Sequence, residues 1–172
     1  MEYVILVDEQ DKAIGKMEKH QAHVEGVLHR AFSIFIFNSE RKLLLQKRAS
    51  SKYHCGGLWT NACCSHPRVN EDTHEAAIRR LHEEMGMNCE LTQIFSFVYR
   101  AEFSNGLTEH EFDHVFIGES DQTPSINTEE VEEYRFIGTE ELQLEIIASP
   151  QIFTPWFLIA LDRVLHFKAL QP

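Results

Sequence analysis

The segment from Ala31 to Phe37 has apolar side chains on both of the faces that a β-strand would present. One face carries Phe32, Ile34 and Ile36, and the other carries Phe35 and Phe37. Because successive side chains of a strand point to opposite faces, such a strand is typical of a sheet that is buried on both sides. The chain has 172 residues, of which 43% are hydrophobic, so it can form one domain with a real core.

Further strands and turns flank this segment. The predicted strands are Tyr3 to Val7, Lys42 to Lys47, Leu91 to Phe103, Leu107 to Gly118 and Tyr134 to Ile137. Asn38-Ser39-Glu40-Arg41 predicts a hairpin turn between the central strand and the next one, and Asn105-Gly106 predicts a second hairpin. The segment from Ala49 to Val69 is predicted to be a long loop, and loops of this length are often functional.

Helical signals follow the loop and recur near the end of the chain. Asp72 and Glu75 have a spacing similar to a capping box, and Gly86 marks a C-terminal stop. The apolar residues that recur at every fourth position between these signals are Ala77, Leu81 and Met85. Thr139 to Leu142 opens a short helix, and Thr154-Pro155 predicts the cap and first position of a terminal helix.

The order of these elements predicts an α/β (α+β) fold, with a mixed sheet flanked by helices in a single domain that covers residues 1–172. No apolar run reaches the roughly 18 residues of a membrane span, and the first apolar run is too short for a signal peptide. We therefore expect no membrane association and a cytoplasmic location. The four cysteines include no Cys-x-x-Cys pair, so reduced thiols are expected.

The formal net charge of −11 argues against nucleic-acid binding through a basic face, since phosphate neutralisation dominates such binding. Much of this charge lies in one stretch, which we interpret as a solvated face. The stretch contains Glu129, Glu130, Glu132, Glu133, Glu140, Glu141 and Glu145. An anionic substrate must therefore meet a local cluster of positive charge elsewhere.

The central helix carries the first candidate chemistry, in the segment Arg79-Arg80-Leu81-His82-Glu83-Glu84-Met85-Gly86. Arg80 and Glu84 are four residues apart, so one helical turn offers a cation for phosphate and a carboxylate for a hard divalent metal. The alternative is a surface helix with two ion pairs, one between Arg79 and Glu83 and one between Arg80 and Glu84.

This segment resembles the Nudix signature, which reads Gly-x5-Glu-x7-Arg-Glu-apolar-x-Glu-Glu-x-Gly-apolar. The matching residues are Glu71, Arg79, Leu81, Glu83, Glu84, Gly86 and Met87. Two positions differ, because Ser65 replaces the first glycine and Arg80 replaces the glutamate after the arginine. The second difference removes a carboxylate that Nudix hydrolases commonly use for metal.

The second candidate lies just before that helix, in Trp59-Thr60-Asn61-Ala62-Cys63-Cys64-Ser65-His66-Pro67. A thiol and an imidazole two residues apart can form a metal site, pair a nucleophile with its base, or simply pack in the interior. The segment resembles the Thr-Asn-x-Cys-Cys-Ser-His-Pro stretch of the type I isopentenyl diphosphate isomerases, a branch of the Nudix fold. That branch departs from the generic signature at the positions of Ser65 and Arg80.

The resemblance extends over most of the chain. The matching segments are Glu18 to His23, His29 to Ser33, Arg48 to Lys52, Tyr99-Arg100, Glu109 to Glu111 and Thr154 to Trp156. The clearest difference is Cys55-Gly56, where the family pattern has an aromatic residue and a proline.

Glu109 and Glu111 alternate along a predicted strand, so both carboxylates point to one face, as two ligands of one metal must. The resemblance assigns His23, His29, His66, Glu109 and Glu111 to one metal ion. Three imidazoles with two carboxylates suit Zn²⁺ or Mn²⁺, and Mg²⁺ less well. The remaining histidines are interpreted as surface or core residues: His20, His54, His74, His82, His110, His114 and His166.

The resemblance also implies the other site residues. The diphosphate-binding positions are Lys19, Arg48, Lys52 and Arg80, and the magnesium ligands are Glu84 and the main-chain oxygen of Cys64. Cys64 and Glu111 are the implied acid/base pair, Tyr99 assists proton delivery, and Trp156 offers its π face to a cationic carbon. The implied reaction is the metal-dependent interconversion of isopentenyl and dimethylallyl diphosphate in isoprenoid biosynthesis.

Two alternatives are kept beside this interpretation. A Nudix hydrolase of nucleoside diphosphate derivatives would share the fold but would not require Cys64 or Trp156. A non-catalytic metal-binding module would leave Arg48 and Lys52 unexplained. The oligomeric state stays open, and a monomer is compatible with the sequence.

Two local predictions follow from the implied site. A two-residue hairpin loop would place Tyr99 on the face opposite both glutamates, whereas a three- or five-residue loop centred on Asn105 lets Tyr99 face Glu111 with Gly106 in the left-handed region. In an extended segment, Cys63 and Cys64 point in opposite directions, so only one can reach a substrate.

Overall fold

The computed structural model describes residues 2–52 and 54–171. Within these residues the strands are β1 (Tyr3–Val7), β2 (Ala13–Glu18), β3 (His29–Phe37), β4 (Leu43–Arg48), β5 (Trp59–Thr60), β6 (Cys63–Ser65), β7 (Thr92–Glu102), β8 (Thr108–Glu119) and β9 (Val131–Ile137). The helices are α1 (Lys19–Glu25), α2 (Thr73–Met85), α3 (Thr139–Ala148) and α4 (Pro155–Ala169), with a 3₁₀ turn at Pro150–Ile152. No helix in the described ranges is long and apolar enough to cross a membrane.

Strand β3 is the centre of a mixed sheet. One of its edges pairs in parallel with β8 along the whole strand, from His29 opposite Glu111 to Phe37 opposite Glu119. Three short antiparallel pairings share its other edge: β1 at His29, β6 at Phe32 to Ile34, and β4 at Phe37. The sheet splits along this edge, because β4 leaves β3 after one residue pair and continues between β5 and β9.

This split corrects two expectations. The turn after Phe37 is present, but the predicted hairpin is short, since Phe37 and Leu43 are the pair that joins its strands. The segment from Ala49 to Val69 is not one long loop, because β5 and β6 lie within it. Strand β6 takes the position along β3 that β4 vacates, which brings Cys63, Cys64 and Ser65 into the centre of the sheet.

The hairpin between β7 and β8 has the predicted register. Tyr99 pairs with Glu111, and the last ladder pair is Glu102 with Thr108, so the loop has five residues and is centred on Asn105. Gly106 adopts a φ of 83°, in the left-handed region that favours glycine.

Helix α2 begins and ends at the predicted residues. The Asp72 carboxylate accepts hydrogen bonds from the main-chain N–H groups of His74 and Glu75, and Gly86 closes the helix with a φ of 63°. Helix α4 also begins as predicted at Pro155, but the Thr154 side chain makes no cap hydrogen bond. Its hydroxyl group lies 2.8 Å from the Thr60 hydroxyl instead.

Besides β5 and β6, two elements were not predicted: strand β2 and helix α1. Helix α1 has seven residues, which is too short for a clear periodic pattern. Its ends are nevertheless well formed, because the Glu18 carboxylate accepts from the Gln21 N–H and Gly26 adopts a left-handed conformation. This helix carries Lys19 and His23 to the site.

The core is divided by the sheet. On one face, α2 packs over a cluster that includes Phe32, Ile34, Ile36, Cys63, Leu81, Met85 and Phe116. On the other face, α4 packs over a cluster that includes Phe35, Phe37, Val115, Ile117, Phe157 and Val164. The prediction of a central strand that is buried on both faces is therefore confirmed.

Candidate active site

A polar pocket opens beside the apolar cluster that α4 covers. At this point the odd-numbered side chains of β8 change from apolar to acidic. The residues that line the pocket are Lys19, Arg48, Lys52, His54, Cys64, Ser65, His66, Arg80, Glu84, Tyr99, Glu109, Glu111 and Trp156. Side chains from seven elements and two loops meet here. All predicted site residues except His23 and His29 line the pocket, and these two lie behind it against the glutamates.

The deepest part of the site is a cluster of three imidazoles and two carboxylates. One ligand atom from each of His23, His29, His66, Glu109 and Glu111 lies within 4.8 Å of every other, and all five residues are buried. The histidine ring centroids are 4.9 to 5.7 Å apart. The register of β3 against β8 makes this possible, because it places His29 directly beside Glu111.

The backbone aims two of these imidazoles at the carboxylates. His23 Nδ1 donates to the Lys19 carbonyl at 2.6 Å, and His29 Nδ1 donates to the Val27 carbonyl at 2.9 Å. The Nε2 atoms therefore face Glu109 Oε2 at 3.2 Å and Glu111 Oε1 at 3.6 Å. His29 Nε2 is buried without a hydrogen-bond partner among the described residues. Lone pairs that converge in a buried site fit a divalent cation.

His66 completes the cluster from the loop after β6. Its Nε2 atom lies 2.8 Å from Glu111 Oε1. Burial lowers the pKa of this imidazole to about 4, against the opposing effect of the Glu111 carboxylate. A neutral imidazole is the form that binds a metal.

Glu111 also joins the cluster to Tyr99. The Tyr99 hydroxyl donates to Glu111 Oε2 at 2.6 Å, while Oε1 of the same carboxylate faces the imidazoles. Burial, together with the charge of Glu111, raises the pKa of the Tyr99 hydroxyl well above its ordinary value, so the phenol keeps its proton.

Cys64 faces the pocket and Cys63 faces the opposite core. The alternation of an extended segment predicted the opposite directions, and the resemblance had assigned Cys64 to the site. Arg48 Nη1 donates to Cys64 Sγ at 3.6 Å. Burial raises the pKa of the Cys64 thiol to about 12, although the Arg48 guanidinium opposes this shift. The thiol is therefore protonated at neutral pH, and the Arg48 guanidinium beside it would stabilise a thiolate.

Trp156 forms an aromatic wall of the pocket. Its indole N–H donates to Thr60 Oγ1 at 3.0 Å, which fixes the plane of the ring from β5. The Tyr99 ring centroid is 6.4 Å away, and the Arg48 guanidinium lies 5.4 Å from the centroid of the indole. A cation thus already occupies one side of this π system.

Three cations surround the mouth of the pocket, and each is paired with a carboxylate. Lys19 Nζ lies 3.1 Å from Glu2. Arg80 Nη2 lies 2.5 Å from Glu84 Oε1 and 3.2 Å from Glu130 Oε1. Lys52 also bonds to Glu130. A bound diphosphate would compete with these carboxylates for the same N–H donors.

Most glutamates of the acidic stretch are exposed, as expected for a solvated face: Glu129, Glu132, Glu133, Glu140 and Glu141. Glu130 is an exception. Its side chain is only 23% exposed and bonds to two of the cations at the mouth. Two other members of that stretch, Glu132 and Glu145, bond to Lys47 and Arg135. The fold turns part of the acidic run towards the cations because β9, which follows Glu130, pairs with β4, which leads into Lys52.

The helical ion pairs proposed as an alternative are also present. Arg79 lies 3.0 Å from Glu83 and donates twice to Glu71, at 2.6 and 2.8 Å. The Arg80 pair with Glu84 faces the pocket, and Gln46 holds the second oxygen of Glu84 at 3.0 Å. Ion pairing and a ligand-binding role are therefore compatible in this helix.

His54 was interpreted as a surface or core residue, and the structure places it in the site. It is 8% exposed, lines the pocket and bonds to Glu109. No sequence signal identified it, because it lies in an irregular segment outside the motifs and reaches Glu109 only through the fold.

The family model that describes the NUDIX domain matches residues 27–157. A solved structure from Deinococcus radiodurans, DR0079, superposes with a TM-score of 0.71 at 22% identity, covering 86% of this chain and 90% of that one. By this fold and this match the chain belongs to the NUDIX domain family, so the Nudix-type fold implied by the resemblance is confirmed.

Relatives at higher identity narrow the assignment. Isopentenyl-diphosphate Delta-isomerase 2 of Aromatoleum aromaticum is 51% identical over 167 residues, which cover 97% of this chain and 88% of that protein. Isopentenyl-diphosphate Delta-isomerase of Pectobacterium atrosepticum is 51% identical over 161 residues, which cover 94% and 90%. Within the NUDIX fold, the chain belongs to the isopentenyl-diphosphate Delta-isomerase family.

Proposed function

We propose that this protein interconverts isopentenyl diphosphate and dimethylallyl diphosphate, and thereby serves isoprenoid biosynthesis. The observation that carries the proposal is one pocket with two different proton-transfer groups. These are a protonated thiol at Cys64 and the Glu111 carboxylate that Tyr99 holds. The family assignment supports the same reaction.

The reaction moves a double bond without redox chemistry. One C–H bond forms at one end of the alkene, and one C–H bond breaks at the carbon on the other side, so one proton enters and one proton leaves. We assign these two roles to Cys64 and Glu111, which exchange roles when the reversible reaction runs in the opposite direction. Tyr99 assists by donating its O–H to Glu111, and Arg48 stabilises the thiolate of Cys64.

The intermediate of this pair of steps is a tertiary carbocation. Trp156 can stabilise it through its π face, and the buried aromatic wall excludes water that would otherwise capture the cation. Thr60 Oγ1 accepts the indole N–H and so holds the ring in one orientation.

We assign the diphosphate to the cationic mouth of the pocket. Lys19, Lys52 and Arg80 there would exchange their carboxylate partners for phosphate oxygens, and Arg48 adds a fourth cation. Glu84 and the main-chain oxygen of Cys64 would hold Mg²⁺ with the diphosphate, in keeping with the preference of Mg²⁺ for oxygen ligands. This arrangement explains how a chain with a charge of −11 binds an anionic substrate.

We assign a second divalent ion, Zn²⁺ or Mn²⁺ and less readily Mg²⁺, to His23, His29, His66, Glu109 and Glu111. When bound, this ion would supply a positive charge that orders the buried carboxylates and lowers the proton affinity of Glu111. Hydrolysis of a nucleoside diphosphate derivative is not favoured, because such a reaction uses neither Cys64 nor Trp156. We infer that residues 1–172 form one domain, which can function as a monomer.

Proton NMR of purified protein with isopentenyl diphosphate and Mg²⁺ tests the proposal. We expect the vinylidene signal to disappear and the signals of dimethylallyl diphosphate to grow. In deuterated water the product should carry deuterium, because the added proton comes from an exchangeable group. Unchanged isopentenyl diphosphate together with phosphate release from nucleoside diphosphate derivatives would favour the hydrolase instead.

A further inference from the structure

The two buried glutamates of the His/Glu cluster are held in the same manner, each by one donor outside the five predicted ligands. Glu111 turns Oε1 towards His66 at 2.8 Å, and its Oε2 accepts from the Tyr99 hydroxyl at 2.6 Å. Glu109 turns Oε2 towards His23 at 3.2 Å, and its Oε1 bonds to His54 Nε2. His54 therefore contacts one oxygen of Glu109 in the same way as Tyr99 contacts one oxygen of Glu111.

The direction of the His54 contact follows from its chemistry. The acceptor is a carboxylate oxygen, so His54 Nε2 carries the hydrogen and donates it. Glu109 is 3% exposed in its side chain and His54 is 7% exposed, so water does not compete effectively for this hydrogen bond. The contact adds to those that lower the pKa of the Glu109 carboxyl, against burial and the charge of Glu111, which both raise it.

The imidazole of His54 is held in place by its neighbours. Its ring centroid lies 6.3 Å from that of Trp156 and 5.7 Å from that of Phe103. Its main-chain carbonyl accepts from Arg48 Nη2 at 3.4 Å. These contacts come from α4, from the hairpin loop between β7 and β8, and from β4, so His54 is fixed independently of the cluster.

We propose that His54 is a positioning residue for Glu109, and that its N–H holds one carboxylate oxygen so that the other stays directed at the metal-binding cluster. The inference rests on the metal site assigned in the proposed function, to which it adds a residue. The physical reason is that a carboxylate without this donor can rotate, and must then be ordered when an ion binds. Donors that orient metal ligands in this way typically contribute about 10- to 100-fold to metal affinity.

Three variants of the full-length protein separate the hydrogen bond from packing. His54→Phe keeps a planar ring beside Trp156 and Phe103 but removes the N–H. His54→Gln keeps an N–H donor, and His54→Ala removes both. The matched control is His74→Ala, because His74 Nε2 contacts the Leu91 carbonyl at 3.0 Å on the face that α2 covers.

The measurement is the dissociation constant of Zn²⁺ alone, obtained by competition with a chromophoric chelator. We expect His54→Phe and His54→Ala to weaken Zn²⁺ binding by about tenfold or more, the lower end for such donors. His54→Gln should bind close to the wild type, and His74→Ala should not change the affinity. The absorption spectrum of the Co²⁺-loaded protein should change in His54→Phe and stay unchanged in His74→Ala, because it reports the ligand geometry.

The outcomes distinguish this inference from the metal site itself. In one outcome the wild type binds Zn²⁺, His66→Ala does not, and His54→Phe binds as tightly as the wild type with an unchanged Co²⁺ spectrum. The role proposed for His54 is then wrong, and the proposed metal site is supported. If the wild type binds no Zn²⁺, both are wrong. Thermal melts of the metal-free variants show whether a loss of affinity is a loss of folding, and a folded His54→Phe with weak binding supports the proposal.

Discussion

The two faces of the sheet around β3 and β6 have the same strand geometry and different chemistry. The face under α2 is closed by apolar side chains such as Phe32, Ile34 and Cys63. The face opposite carries buried polar groups at His29 and Ser33, with the small Ala31 between them, and its large apolar side chains begin at Phe35. The face under α2 therefore stabilises the fold, and the polar half of the opposite face forms part of the site.

This difference has an energetic consequence. Burying polar and charged groups is unfavourable unless they find partners. Asp113 illustrates the point, since it accepts a hydrogen bond from Ser33 Oγ at 2.8 Å, and burial raises the pKa of its carboxyl well above the ordinary value. Substitutions on the polar face should therefore change function more than stability, and those on the apolar face the reverse.

The largest loss of turnover is expected when Cys64 is replaced. We expect Cys64→Ala to lose at least about a hundredfold in turnover, the lower end for removing a positioned acid or base. Diphosphate binding should be kept, because Arg48, Lys52 and Arg80 remain. Steady-state kinetics and a binding titration with the diphosphate test both parts, and turnover equal to that of the wild type would refute the assigned mechanism.

His66 is the next test, because it supplies one imidazole to the cluster. His66→Ala should lower metal content and activity together. Zn²⁺ binding should weaken by more than the roughly tenfold expected for the His54 variants, because His54 contacts the cluster only through Glu109. Metal analysis of the purified variant measures the stoichiometry. An unchanged stoichiometry would mean that the five-residue site is wrong.

Lys52 tests the cationic mouth separately from the proton-transfer groups. Lys52→Met should raise the KM for the diphosphate about tenfold with a smaller change in kcat, since a charge-assisted hydrogen bond contributes about 1.5–3 kcal/mol. The control is Lys47→Met, because Lys47 pairs with Glu132 at 2.9 Å instead of facing the pocket. Equal effects of the two substitutions would argue against a diphosphate site at Lys52.

The smallest effect is expected at Cys63, the neighbour of Cys64 on the apolar face. Cys63 is fully buried in the core under α2. Cys63→Ala should lower the free energy of unfolding by about 1 kcal/mol and leave turnover largely intact. Denaturant unfolding measures the loss of stability, and the isomerase assay measures turnover. A hundredfold loss of turnover in Cys63→Ala would contradict the expected difference between Cys63 and Cys64.

Local signals in the sequence identified much of the fold. Helix α2 has its cap and stop at Asp72 and Gly86, because these depend on contacts between near neighbours in the chain. Asn105-Gly106 located the hairpin, whereas its five-residue loop was one of the two lengths expected if Tyr99 faces Glu111. Helix α1 was missed because seven residues give no clear periodicity, and β6 because three residues form a strand only beside β3.

The alternation of side chains along extended segments was enough to place Glu109 and Glu111 on one face and to separate Cys64 from Cys63. Successive side chains of a strand point to opposite faces in any surroundings. Only the tertiary structure decided what these faces meet. His54 reaches Glu109 across 55 positions of the chain, and Glu130 reaches Lys52 and Arg80, because the pairing of β4 with β9 and of β3 with β8 joins segments that no local pattern relates. Such contacts depend on the geometry of the whole sheet, which sequence spacing does not contain.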